Sequence, residues 1–307
     1  MNCILITGSS GLVGRALRRA LEAQGRDVRG LDLRAAGVER GDVRDRDRVG
    51  AALEGVVGIV HLAAVSRVAW GERDPDACWS TNVDGLQNLL GCAQRCADQP
   101  WVIFSSSREV YGQPDTLPAS EDAPLRPVNI YGRSKVAGEQ LVDAARRSGM
   151  RASVVRLSNV YGCTRDHADR VVPAFARSAV LGLVLRVDGS SNAFDFTHVD
   201  DTTRGIAALV GHLARGADAP PPMHFVTGAS TTLGRLASLA IPLGGGGSVI
   251  EEASPRSFDV SQFHGCGARA KALLDWSPRV SIEDGLARVI RDFRDELGIG
   301  RQQMGAL

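Results

Sequence analysis

The amino-acid sequence predicts an α/β fold: a doubly wound parallel sheet followed by a smaller C-terminal α/β lobe. Three observations predict it. Short apolar runs alternate with helical patterns through roughly the first 160 residues, which implies βαβ units and a parallel sheet covered on both faces. A glycine-rich turn joins the first run to the first helix. After Gly162 the rhythm breaks into shorter elements.

The elements follow in order. Residues 2–7 read as the first strand, and Leu12, Val13, Ala16, Leu17, Ala20 and Leu21 then recur at helical spacing. Residues 28–33, 56–62 and 101–106 read as strands, with helices over 45–53 and 76–97 between them. A long helix over 131–148 leads to a strand at 152–157. Right-handed crossovers wind such a series into a sheet with helices on both faces. Beyond it come a polar stretch at 163–170, a helix over 171–181, a short strand near Leu185, the segment FDFTHVDD and a helix over about 200–214. The prolines at 220–222 and the glycines at 244–247 read as loops, the glycine run as a mobile one. The expected division is a nucleotide-binding unit over 1–162, to which 192–216 returns, and a lobe built from 163–191 and 217–307.

Composition excludes several classes. Thirty-six basic residues against 35 acidic ones leave a net charge of +1, which gives no argument for nucleic acid or an anionic membrane as partner. The start MNCILITGSSG lacks the basic and apolar parts of a signal peptide, and no apolar run approaches the roughly 20 residues of a membrane span. Six cysteines are too sparse for a disulfide framework. Cys92 and Cys96 have no second ligand pair nearby, so no metal is expected. The expected compartment is the cytoplasm. Of the basic residues only Lys135 and Lys271 are lysines; where a plain charge suffices this chain writes arginine, so a retained lysine calls for a reason.

The turn Thr7-Gly8-Ser9-Ser10-Gly11-Leu12-Val13-Gly14 has the strand-to-helix context of a dinucleotide site. Gly8 allows the tight turn, Gly11 the approach of a pyrophosphate and Gly14 close packing of the helix on the sheet. The helix N-terminus then offers free N–H groups and a positive dipole to the diphosphate. Asp32, 18 residues after Gly14, suits both adenosine ribose hydroxyls and repels a 2′-phosphate, favouring NAD, with Arg34 beside it as the counter-argument. Leu33 follows it, Asp42 and Val43 suit the adenine edge, and Leu62, Ala63 and Ala64 let the backbone pass close to the cofactor. His61 reads as a packed or hydrogen-bonded residue.

Tyr131 and Lys135, four apart at the start of the long helix, project from one face. A tyrosine with a pKa of about 10 is a poor base at neutral pH. A nearby ammonium, with the positive ring of an oxidised nicotinamide, is expected to stabilise its phenolate and lower that value. Ser105, Ser106 and Ser107 end the fourth strand, where doubly wound sheets bind ligands. A hydroxyl there can share a substrate alcohol proton with Tyr131, completing a Ser–Tyr–Lys set for hydride chemistry at a carbinol carbon.

TGxxGxxG, the acid after the second strand, HLAA, the serine before VYG, YxxxK, NVYG and HVDD resemble, in order and spacing, the extended short-chain dehydrogenase/reductase superfamily. Within it the chain is similar to the nucleotide-sugar epimerase/dehydratase group, and the tail PRSFDVSQF…LLDWSPRVSIEDGL extends the likeness over nearly the whole length. The resemblance implies a Rossmann domain with bound NAD, a lobe that holds a nucleotide sugar, and a homodimer. It implies Ser107, Tyr131 and Lys135 as the catalytic set, with Ser10, Asn82 and Ser105 joining the cofactor contacts. Ser66, Ser107, Arg108, Asn159, Val172, Arg186, Phe194 and Arg256 are the implied substrate contacts. Two departures stand out. The family's dehydratases resemble Thr-Asp-Glu before VYG, where this chain has Ser107-Arg108-Glu109: the acidic Asp is missing, while Glu109 survives as a candidate base. Arg108 and Glu109 can also simply pair with each other. The family's usual arginine before Asp-Phe-x-x-Val-Asp-Asp is Phe194 here, which removes a phosphate or ribose contact and leaves Phe194 to stack on a base or to pack. The expected activity is NAD-dependent 4-epimerisation. Dehydration through Glu109, 4-keto reduction and a non-catalytic dinucleotide sensor are the alternatives.

Overall fold

The computed structural model describes residues 3–256 and 260–299. Residues 257–259, within the PRSFDVSQF stretch, lie outside the described residues, as does Asn2 at the start of the first expected strand.

Six parallel strands form the main sheet. They are β1 (Cys3–Thr7), β2 (Val28–Leu31), β3 (Val56–His61), β4 (Trp101–Ser107), β5 (Ala152–Leu157) and, from further along the chain, β10 (Met223–Phe225), in the order β10-β5-β4-β3-β1-β2. The reversal of strand order on either side of β1 is the switch point at which such sheets bind ligands. Helices α1 (Leu12–Ala23), α2 (Arg46–Ala52), α3 (Val68–Arg73), α4 (Pro75–Trp79), α5 (Gly85–Gln94) and α6 (Ile130–Arg147) lie between the strands. Central strands are buried along their length, and β1, with the pattern CILIT, has every residue inside. One face carries Ile4, Ile6, Val60 and Ile103 against α1 and α8 (Val199–Ala214); the other carries Leu5, Ile59, Val102 and Phe104 against α5 and α6.

The remaining elements are β6 (Asn159–Tyr161), α7 (Val171–Val180), β7 (Leu185–Asp188), β8 (Ala193–Phe194), β9 (Phe196–His198), β11 (Thr231–Thr232), α9 (Leu233–Gly244), β12 (Ile250–Ala253), β13 (Gln262–Phe263), α10 (Ala268–Leu274) and α11 (Ile282–Leu297). Small sheets β11-β8-β13, β12-β7 and β6-β9 and helices α7, α9 and α11 build a second apolar cluster around Phe175, Leu236, Phe263 and Ile290. Asp201 of the HVDD segment accepts from the backbone N–H groups of Arg279 and Val280, both at 2.8 Å, and so anchors the tail.

Several expectations are corrected. β10 sits in the main sheet although the sequence reading gave 217–307 wholly to the lobe; three residues beside a proline run carry too little periodicity to announce a strand. β2 ends at Leu31, and Asp32 makes only an isolated bridge with Arg40. The helix expected over 76–97 starts at Pro75, ends at Gln94 and contains a π turn at Ser80–Asp84. The glycine run is a loop from Gly245 to Gly247, with only Gly244 still in α9: a Cβ on Gly244 would lie 2.5 Å from Ala179, and Gly245 turns the chain at a φ of +120°.

Gly58 of β3 faces the indole of Trp101, which is 1% exposed, and a Cβ there would come within 2.0 Å of the ring. Gly58→Ala is therefore expected to cost at least about 1–3 kcal/mol through overpacking, read as a lower denaturation midpoint; an unchanged midpoint would show that the indole can move aside.

Candidate active site

The C-terminal ends of the sheet strands open onto a cleft of about 700 Å³. A wider, open groove of about 1410 Å³ runs over α1, α8 and α10. Tyr131 and Lys135 line the cleft and not the groove, which makes the cleft the candidate site.

At one end the glycine turn forms a cradle. Gly8 has a φ of +70°, and a Cβ there would lie 2.7 Å from the Ala63 nitrogen; at Gly14 it would lie 2.3 Å from the Gly8 carbonyl oxygen. Helix α1 starts at Leu12, and Gly11 before it offers no side-chain cap, so its first N–H groups remain for an anion. Asp32 is 7% exposed; its Oδ2 accepts from Ser10 N at 3.0 Å and its Oδ1 from Arg34 N at 2.7 Å. The Arg34 side chain is exposed with Nε 3.7 Å from the same carboxylate, so the counter-argument for a 2′-phosphate is already engaged by Asp32. Leu33, Asp42, Val43, Leu62, Ala63, Ala64 and Ser105 line the cleft with Gly8, Gly11, Leu12, Val13, Gly14 and Asp32. Arg44 pairs with Asp42 and holds its carboxyl below the usual range. A glycine cradle, an uncapped helix and a buried carboxylate beyond the second strand together fit a dinucleotide.

Two expected cofactor contacts lie elsewhere. Ser10 offers its backbone to Asp32 but is not on the cleft wall. Asn82 is buried behind the wall: its Oδ1 accepts from Val65 N at 2.8 Å, and its Nδ2 donates to Val65 O at 3.1 Å and to Ser134 Oγ at 2.9 Å. It straps the loop after β3 onto α6, a role that spacing in sequence does not disclose.

At the other end, Asn129 caps α6 by accepting from Gly132 N at 2.7 Å, which places Tyr131 and Lys135 in its first turns. Lys135 Nζ donates to the Ser105 carbonyl at 2.8 Å and lies 4.9 Å from the centre of the Phe104 ring and 5.8 Å from that of Tyr131. Ser107 ends β4, and its hydroxyl accepts from Glu109 N at 3.2 Å, capping a 3₁₀ turn over Arg108–Tyr111. Among the protein's own groups, burial outweighs those that lower the Tyr131 pKa. Burial pushes it up to about 12, against a hydrogen bond with Ser107 and the charge of Arg170, both of which lower it. Burial likewise pulls Lys135 down to about 8. Burial also holds His61 at about 3, a neutral ring bonded through Nδ1 to Thr7 Oγ1 at 2.8 Å.

Arg108 and Glu109 pair with each other, Nη2 to Oε1 at 2.8 Å, and Asn129 Nδ2 donates to the other carboxylate oxygen at 2.8 Å. The guanidinium of Arg108 lies 4.5 Å over the ring of Phe194, so Phe194 packs under a cation rather than waiting for a base. Its Nη1 is buried without an acceptor among the described residues, a situation that costs roughly 1–3 kcal/mol or more for a charged donor. Ser66, Asn159, Val172, Arg186 and Arg256 line the same cleft, Arg186 turned to Asp188 at 2.9 Å. The sequence reading missed Arg67, Asp166 and Arg170. Arg67 reaches Asp169 at 2.8 Å and Trp70 meets His167 edge-on at 4.7 Å, so the polar stretch 163–170 folds over the cleft mouth. Its density of charge was the available signal.

A doubly wound sheet with a glycine cradle at one end of its cleft and a Ser–Tyr–Lys set at the other defines a dinucleotide-dependent enzyme. A family profile described as the NAD dependent epimerase/dehydratase family matches residues 4–228, and the chain belongs to that family. It is 28% identical to a UDP-glucose 4-epimerase of Mycolicibacterium smegmatis over 95% of this chain and 98% of the relative. Among solved structures it is similar to a UDP-glucose 4-epimerase of Thermotoga maritima, with TM-score 0.89, 27% identity and coverage of 96% and 99%. It is also similar to a dTDP-glucose 4,6-dehydratase of Streptomyces venezuelae with NAD bound, with TM-score 0.86, 30% identity and coverage of 96% and 98%. Among the described residues no helix is long and apolar enough to cross a membrane.

Lys135 carries a stability cost whose sign can be worked out. Its value of about 8 lies below the ordinary 10.5, so below pH 8 the folded state bears the full penalty of a buried ammonium. That penalty fades as the pH rises from 8 through 10.5, where the unfolded chain also loses its proton. Lys135→Met is expected to stabilise the protein at pH 7 by on the order of 2–3 kcal/mol and much less at pH 10.5, in denaturant titrations at the two pH values. An equal gain at both would refute the assignment.

Proposed function

We propose that the protein is an NAD-dependent nucleotide-sugar 4-epimerase. The observation that carries this reading is the Ser107–Tyr131–Lys135 set at the sheet edge beside a Glu109 whose two carboxylate oxygens are already held by Arg108 and Asn129. A dehydratase acting through Glu109 needs that carboxylate free to move a proton, so the pairing speaks against the lyase alternative. The buried Asp32 speaks against an NADP-dependent reductase.

In the proposed reaction Tyr131 Oη takes the proton of the sugar C4 hydroxyl, and Ser107 Oγ hydrogen bonds to the same pair of oxygens and holds them in line. Lys135, fixed by the Ser105 carbonyl, supplies the positive charge that an anionic Tyr131 requires. Bound NAD would supply the acceptor for the C4 hydride and the donor for its return. The first N–H groups of α1 and the carboxylate of Asp32 hold the dinucleotide. The 4-keto sugar turns within the cleft so that the hydride returns to the other face of C4, and Tyr131 gives the proton back to the C4 oxygen. Burial, which leaves Tyr131 at about 12 without ligands, keeps the base protonated until substrate and cofactor are both in place. The stretch 163–170 excludes water while the keto sugar turns. A homodimer is part of the same proposal, and light scattering decides it.

The test is incubation of the purified protein with UDP-, dTDP-, GDP- and CDP-hexoses without added NAD. A C4 epimer is expected, and a dehydrated product without epimer overturns the reading. Tyr131→Phe should retain the cofactor and lose at least about 10²-fold in turnover; near-wild-type turnover would reject Tyr131 as the base.

A further inference from the structure

Arg108 is held more firmly than a cleft-lining cation needs to be. Its guanidinium rests 4.5 Å over Phe194 and 6.0 Å from the centre of Phe263, both rings buried, and its side chain is only 12% exposed. Glu109 fixes Nη2, and Asn129, the cap of the catalytic helix, fixes Glu109 in turn. The planar group is thereby locked in register with Tyr131. Yet Nη1 is buried and lacks an acceptor among the described residues, and buried donors are ordinarily satisfied.

The position identifies what can complete it. Arg108 directly follows Ser107 and lines the cleft together with it and Tyr131, so it stands at the reacting end. Charge around that end is also incomplete. Lys135, Arg108 and Arg170 face Glu109 and Asp166; Glu109 pairs with Arg108, and Asp166 lies 3.6 Å from Arg170. The Arg67–Asp169 and Arg186–Asp188 pairs line the same cleft, and with these paired off the charge of Lys135, bonded to the Ser105 carbonyl, is left over at that end. A rigid guanidinium recognises a carboxylate better than a hydroxyl, because the bond is charge-assisted and the planes match.

We propose that Arg108 determines sugar specificity by binding the carboxylate of a nucleotide hexuronate. The inference rests on the nucleotide-sugar reading above and deepens it by naming the sugar class.

The experiment is calorimetric binding to the NAD-loaded protein, with UDP-glucuronate against UDP-glucose and the corresponding dTDP pair, followed by product analysis of each mixture. The hexuronate of at least one pair should bind 10-fold or more tightly than its hexose. Arg108→Gln should erase that ratio, and Arg108→Lys, which keeps the charge without the fork, should restore part of it. Equal binding of hexuronate and hexose, binding of neither, or a ratio unchanged in Arg108→Gln overturns the proposal. If Arg108→Gln does not fold, the wild-type ratio and Arg108→Lys decide. The two readings fail separately: a hexuronate preference without epimer rejects the epimerase alone, and epimerisation of hexoses without preference rejects the role of Arg108 alone.

Discussion

The buried ion pair between Arg156 and Glu139 is the constraint on which the site depends. Arg156 comes from β5 and Glu139 from α6, and Nη2 and Nε of the one meet the two carboxylate oxygens of the other at 2.6 and 2.9 Å. Ser106 of β4 donates to the same carboxylate at 2.5 Å. Nη1 of Arg156 continues to the Glu121 carbonyl and to the Tyr111 hydroxyl, at 2.6 and 2.7 Å. That hydroxyl donates to Nε2 of His224, because the 3.0 Å bond from Nδ1 to the Cys266 carbonyl places the ring proton on Nδ1. One continuous chain of bonds thus ties β4, β5, β10, α6 and the segment before α10 together, one turn below Lys135. A buried pair of this kind adds little net stability compared with apolar packing, since both charges leave water. Its effect is geometric: the serines at the end of β4 and the tyrosine and lysine of α6 cannot shift independently.

Burial acts on the two central side chains in opposite directions, raising the pKa of Tyr131 and lowering that of Lys135. Tyr131 holds its proton tightly and Lys135 holds its own loosely. A dry site nonetheless suits the proposed transfer of a proton from a hydroxyl and a hydride from its carbon, because fixed charges act most strongly where water is absent. Stability is given up locally so that charge brought in by ligands has full effect, and the retained lysine in an arginine-rich chain marks where this happens.

The sheet, the cradle and the placement of the proposed Ser–Tyr–Lys set were legible in the sequence because each depends on local signals: apolar runs, glycines that admit no Cβ, and residues one helical turn apart. Asp32, Ser107, Tyr131 and Lys135 fall in the cleft for that reason. What sequence did not disclose depends on contacts between distant segments. Asn82 reads like a cofactor contact but reaches backward to Val65 and Ser134. Phe194 lost a charge in sequence, while Arg108, 86 positions earlier, brings one over its ring. β10 is a strand because a sheet edge accepts it, not because three residues announce it.

The π turn at Ser80–Asp84 has a consequence for how this chain tolerates change in length. A π turn takes up one residue more than an α turn, so α5 leaves it in the phase that an unbroken helix lacking that residue would have. Leu86, Leu89, Leu90 and Ala93 are buried in that phase. Losing one residue within the turn would close it to ordinary winding and leave those four side chains on the core. It would displace Asn82, and with it the amide that pins the loop after β3. The supernumerary residue is therefore dispensable to the scaffold and indispensable to the cleft wall, a division that substitution of single side chains would not uncover.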